Sequence, residues 1–115
     1  MNIVTAITGA LEPMGLPMAV GLYKVEAGKQ YPDAYIVLTP LGERNGGIAD
    51  NAPLTETAAA DVNLYLRGDY QPAKDRLKAL LEGAGFYLEG RRYVAFEADT
   101  GHHHYVITAE RTEVL

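Results

Sequence analysis

The chain contains no cysteine and no serine. The first absence removes disulfide scaffolds, thiolate metal sites and cysteine nucleophiles. The second removes serine hydrolase chemistry. Positive charge is not in excess either: the formal net charge is −5 over 115 residues, whereas dedicated nucleic-acid-binding domains carry a basic face. Basic residues concentrate only at Lys74, Arg76 and Lys78 and at Arg91-Arg92, where a solvated helix face and a hairpin turn account for them. No apolar run approaches the roughly 20 residues that cross a bilayer. No basic segment followed by an apolar run opens the chain, so a cytoplasmic setting is expected. Carboxylates are plentiful, but no pair is embedded in the apolar surroundings that split pKa values for acid–base work. Gly46-Gly47 lacks the Gly-Lys-Thr that completes a phosphate loop. A protein without enzymatic activity or cofactor is the expectation.

What is present describes one folded domain over residues 1–115. Apolar residues make up 48% and charged residues 22%, an ordinary balance for a chain large enough to bury a modest core. Residues 2–14 place Ile3, Ile7, Ala10, Leu11 and Met14 on one helical stripe, with Asn2 as cap and Pro13 and Gly15 as limits. Residues 18–23 form a short extended segment. A turn-rich stretch at 26–33 follows, and then a strand at 35–39 whose nearly unbroken apolar character predicts cover on both faces.

Residues 40–53 hold Gly42, Gly46, Gly47, Asn45 and Asn51 between two prolines, and read as a long flexible loop. Residues 57–67 alternate, with Ala58, Ala60, Val62, Leu64 and Leu66 on one face and Ala59, Asp61, Asn63, Tyr65 and Arg67 on the other. A helix follows from Asp69 or Tyr70, tolerating Pro72 in its first turn. It turns Ala73, Leu77, Leu80, Leu81 and Ala84 inward and exits at Gly83 and Gly85. Extended pieces at 86–88 and 93–97 flank a tight turn at 89–92, and the final strand covers 102–110. The sum is an α+β domain: an antiparallel or mixed sheet of about five strands, two helices packed on one face, and a long flexible loop between the second and third strands.

Three consecutive histidines open the last strand. Side chains alternate along a strand, so His102 and His104 share one face, about 7 Å apart along the backbone, and His103 takes the other. Such a pair can chelate a metal with Asp99 or Glu97 as an oxygen donor, but the chain offers no further histidine or thiolate to complete a site. The run continues into the alternation of Tyr105, Ile107 and Ala109. That pattern favours a packed strand, with His103 joining the packed face and His102 and His104 at the other surface. Metal binding by His102, His104 and Asp99 is the weaker alternative.

The run Pro32-Asp-Ala-Tyr-Ile-Val-Leu38 followed by Ala49-Asp-Asn51 resembles the first half of the tail terminator (tail completion) proteins of long-tailed bacteriophages and prophages. A later block resembles the second half: Asp61-Val-Asn-Leu-Tyr-Leu-Arg67, Gly-Asp-Tyr, an amphipathic helix, Gly85-Phe86, and Glu97-Ala-Asp-Thr-Gly-His-His-His-Tyr105. The likeness spans residues 32–110 and rests on the order and spacing of these elements. It implies a structural protein of the virion tail, assembled in the bacterial host cytoplasm. Members form rings, commonly hexameric, that cap the tail tube, end its polymerisation and join it to the head connector. The partners implied are the tail tube protein, the head-completion or connector protein, and further copies of the chain. The family brings no catalytic residues. Ring subunits meet through heterologous contacts that close, and a flexible loop such as 42–54 suits a contact that orders on assembly. Glu43, Arg44, Asn45, Ile48, Asp50, Asn51 and Leu54 are its candidate residues. A stand-alone α+β binding or regulatory module is the other reading.

Overall fold

The structure, a computed structural model, describes residues 2–115. Helix α1 (Ile3–Leu11) begins where the Asn2 side chain accepts a hydrogen bond from the Thr5 amide at 3.2 Å, satisfying one of the free amides of the first turn. Its β-branched residues are poor helix formers, so burial of Ile3, Ile7 and Leu11 against the sheet supplies what propensity does not. A single 3₁₀ turn, Glu12–Met14, ends it at Gly15, whose φ of 65° is left-handed.

Strand β1 (Met18–Val20) pairs parallel with β2 (Ala34–Ala49). All other pairings are antiparallel, among β2, β3 (Ala52–Arg67), β5 (His102–Val114) and β4 (Tyr87–Glu97), giving the spatial order β1-β2-β3-β5-β4. Helix α2 (Gln71–Gly83) links β3 to β4 and lies beside α1 on one face. The expected mixed sheet of five strands with two helices on one face is what forms. The core lies between these layers, with Ile36, Leu38, Val62, Leu64 and Ile107 meeting Ile7, Leu11, Leu77 and Leu81. Each such side chain contributes about 1.5–3 kcal/mol when fully buried.

Three expectations are corrected. Residues 40–53 are not a loop: β2 runs to Ala49, β3 starts at Ala52, and only Asp50 and Asn51 turn, with φ of 52° and 61°. Both central residues are left-handed, as a two-residue hairpin turn matched to strand twist requires, and Asp and Asn tolerate that conformation. The prolines fit because β1 covers β2 only as far as Leu38, so Pro40 lies on an open edge beside the bulge between Pro40 and Gly42. Glycines 46 and 47 answer close packing rather than flexibility. A β-carbon at Gly46 would meet the Thr55 hydroxyl at 2.7 Å, and one at Gly47 would press on Leu54 at 3.2 Å.

The turn expected at 89–92 is likewise absent. Strand β4 is continuous through it, with register shifts between Leu88 and Gly90 and between Tyr93 and Ala95 that leave Glu89 and Val94 as bulges. The real reversal lies at 98–101, where the Gly101 amide donates to the Glu97 carbonyl at 2.7 Å. Finally, the segment at 18–23 is a strand only to Val20, broken by Gly21 at φ 78°.

Candidate functional site

Two features of the sheet stand outside the helix-covered core. The first is the hairpin end of β2 and β3, which projects as an arm and contributes to a molecule 57 Å long but only 29 × 24 Å across. Strand β5 runs alongside to pair Thr55 with Val114, and the Leu115 amide donates to the Leu54 carbonyl at 2.9 Å. The arm is therefore three-stranded up to that point and two-stranded beyond it.

Side chains brace it. The Thr57 and Thr112 hydroxyls share a hydrogen bond at 2.7 Å, and the Thr55 hydroxyl donates to the Gly46 carbonyl at 2.9 Å. Arg44 reaches Glu110 with two parallel bonds of 3.3 and 3.4 Å, the fork geometry that guanidinium and carboxylate favour.

All seven residues expected to contact a partner lie exposed on this arm: Glu43, Arg44 and Asn45 on β2, Ile48 near the tip, Asp50 and Asn51 in the turn, and Leu54 opening β3. Sequence reading missed Leu41, Val114 and Leu115, which add exposed apolar surface; Ile48 is 75% and Val114 83% exposed. The continued alternation of Thr112 and Val114 past Glu110 was the signal for the last two.

The second feature is the sheet face opposite the helices. Tyr35, on β2, lies directly across from Tyr65 on β3, and Tyr65 directly across from His104 on β5. Tyr35 and Tyr65 stack at 4.7 Å and 7°, and Tyr65 and His104 at 4.3 Å and 18°. The segment 21–33 folds back over this row and adds Tyr23 at 4.8 Å and Tyr31 at 5.5 Å from the Tyr35 ring. Tyr35 and Val37 are buried as a result, so the strand expected to be covered on both faces is.

His102 and His104 do share this face, as alternation requires. His102, however, is 0% exposed rather than at the surface. Its Nε2 donates to the Pro32 carbonyl, an obligate acceptor, at 2.8 Å, and its Nδ1 meets the Thr100 hydroxyl at 2.8 Å. The neighbouring Arg67 ties the same pieces together. Its guanidinium donates to the Thr100 carbonyl at 2.7 Å, to the Tyr31 carbonyl at 3.1 Å and to the Asp33 carboxylate at 2.9 Å.

The His104 Nε2 lies 2.8 Å from Asn63 Oδ1, while the Asn63 amide nitrogen donates to the Val37 carbonyl at 3.1 Å. That arrangement places the amide oxygen toward the ring and the His104 proton on Nε2. Burial holds the His104 pKa below the ordinary imidazole value, with the Glu97 carboxylate partly opposing and Arg92 adding to the shift. Asp99 sits exposed in the 98–101 turn. Among the described residues, no group of three or more histidines and carboxylates is arranged to hold a metal ion.

Between the tyrosine row and the 21–33 segment lies a cavity of about 200 Å³, bordered by Tyr23, Tyr31, Tyr35, Tyr65, Leu22 and Glu97. Burial raises the Tyr35 and Tyr65 hydroxyls above the ordinary phenol pKa, and the Glu97 carboxylate adds to both shifts. Compared with known proteins, the chain matches no family model and no curated protein.

Proposed function

We propose that this protein is a structural, non-catalytic subunit of a long-tailed bacteriophage or prophage tail, a terminator that caps the tube, ends its polymerisation and joins it to the head connector. The observation that supports this reading best is the braced arm. It displays Leu41, Ile48, Leu54, Val114 and Leu115 to solvent, and large apolar side chains held out on a rigid projection are a means of gripping another protein. A projecting contact suits a heterologous interface, in which the arm of one copy meets a different surface of the next and the ring closes. The outer edge of β4, where Tyr87, Val94 and Phe96 are exposed, offers such a surface. The order of elements that resembles tail terminators supplies the identity of the assembly, and a virion tail is its location. Among the described residues no helix is long and apolar enough to cross a membrane.

Light scattering of the protein alone and mixed with its tail tube protein tests the proposal. A ring, or an assembly that forms with tube protein and halts tube growth, is the expected result. A monomer that leaves tube length unchanged overturns it, and would favour the stand-alone binding module, for which the tyrosine-lined cavity speaks.

A further inference from the structure

The carboxylate of Glu97 is half-buried at the rim of the tyrosine cavity, yet it makes no hydrogen bond or ion pair with any described residue. Of the cations near it, Arg67 is spent on Asp33 and two carbonyls, and Arg92, on the same face of β4, stands opposite Val106 without bonding Glu97. A partly covered carboxylate with no bonded donor keeps its acceptor positions open to one. The rings beside it add acceptors. Tyr23, Tyr31, Tyr35 and Tyr65 line the cavity. The faces of Tyr35 and Tyr65 are taken by one another, by Tyr31 and by His104, but none of the four hydroxyls bonds another described residue, which leaves those oxygens available to a cationic donor.

We infer that this cavity is a receptor for an organic cation, the guanidinium or ammonium of an arginine or lysine side chain presented by a partner protein. The cation sits among the tyrosine hydroxyls with its charge toward Glu97. Size favours a side chain over a whole small molecule: the cavity holds about 200 Å³, below the roughly 300–1,000 Å³ of pockets that enclose drug-sized ligands. The net charge of −5 favours the approach of basic partners. Glu97 lies on β4 and the tyrosines on β2, β3 and the 21–33 segment, well away from the tip of the arm, so the inference stands whether or not the tail assignment does.

The test is titration with N-acetyl-arginine amide, with N-acetyl-citrulline amide as the neutral isostere, followed by NMR of the tyrosine rings and the His104 imidazole. Shifts at Tyr35, Tyr65 and His104 with the arginine compound, at least tenfold weaker with citrulline and in Glu97→Gln, are expected. Glu97→Gln is nearly isosteric, and an unchanged unfolding midpoint certifies its fold. Tyr23→Leu, on the outer wall, gives a second, smaller loss. Equal response to arginine and citrulline, or an undiminished response in Glu97→Gln, overturns the proposal. A Gly-Gly-Arg-Gly-Gly peptide binding at least as tightly as the capped residue supports a protein-borne side chain. Exclusion of that peptide while agmatine or tetramethylammonium binds overturns that part and leaves a free small cation as the ligand.

Discussion

The imidazole of His102 bonds the carbonyl of Pro32 at 2.8 Å across 70 residues of sequence. This bond fastens the segment that covers the tyrosine row to the first residue of β5. Nothing else on that ring is free, because Thr100 occupies the other nitrogen.

Replacing His102 by leucine should therefore destabilise the fold by about 1–3 kcal/mol, since a half-buried carbonyl and hydroxyl lose their partner while the volume is nearly kept. Urea unfolding measures the loss. Amide exchange should locate the loosening at 21–33 rather than in α1 or α2.

The lowered pKa of His104 has a sign that can be checked. As pH falls below the ordinary imidazole value of about 6.5, the unfolded chain takes up this proton before the folded one does. Stability is thus full above that value and declines as pH falls from it through the folded-state value. Urea midpoints between neutral and mildly acid pH should fall less steeply in His104→Gln than in the parent. Parallel curves would remove His104 as the source.

The arm makes contradictory demands on folding and association. Ile48 and Leu54 are exposed, so Ile48→Asp combined with Leu54→Asp should change stability by no more than about 0.5 kcal/mol for each surface site. The same pair should abolish ring formation or binding to tube protein in light scattering. Retained assembly would exclude the arm as the contact.

The hairpin turn itself can be probed. Asn51→Gly, at φ 61°, should be neutral or stabilising, because glycine enters the left-handed region freely. Asn51→Val should cost about 1–2 kcal/mol. A flexible loop at this position would show no difference between the two in thermal unfolding.

In the core, Leu81 is completely buried between α2 and the sheet. Leu81→Ala should cost about 2–5 kcal/mol, read from the denaturant midpoint.

Elements whose signals are local and mutually consistent were legible in the sequence. Asn2 followed by a stripe of Ile3, Ile7 and Leu11 defines α1, and the inward row of Ala73, Leu77 and Leu81 defines α2. The alternation through Val62 and Leu64 was equally plain. The arm was not, because Pro40, Pro53 and three glycines carry the composition of a loop. Their tolerance depends on lying at an open edge, over a bulge or beneath Thr55 and Leu54, which only the pairing of strands reveals. Arg91 and Arg92 misled for the same reason. The histidine run gave its alternation correctly, but the burial of His102 depends on Pro32 and Tyr31, residues from a turn whose destination no local pattern announces. The tyrosine cavity is the extreme case: Tyr35 and Tyr65 meet only through the register of β2 on β3, and Tyr23 and Tyr31 join them only because the 21–33 segment folds back over the sheet.

That register carries an optical consequence. The chain has eight tyrosines and no tryptophan, so its near-ultraviolet dichroism arises without indole interference. Tyr35 and Tyr65, nearly parallel on adjacent strands at 4.7 Å, form a coupled pair of chromophores. A slip of one residue between β2 and β3 would send one ring to the opposite face and extinguish the coupling. The protein thus carries its own spectroscopic gauge of strand alignment, readable during refolding without a label.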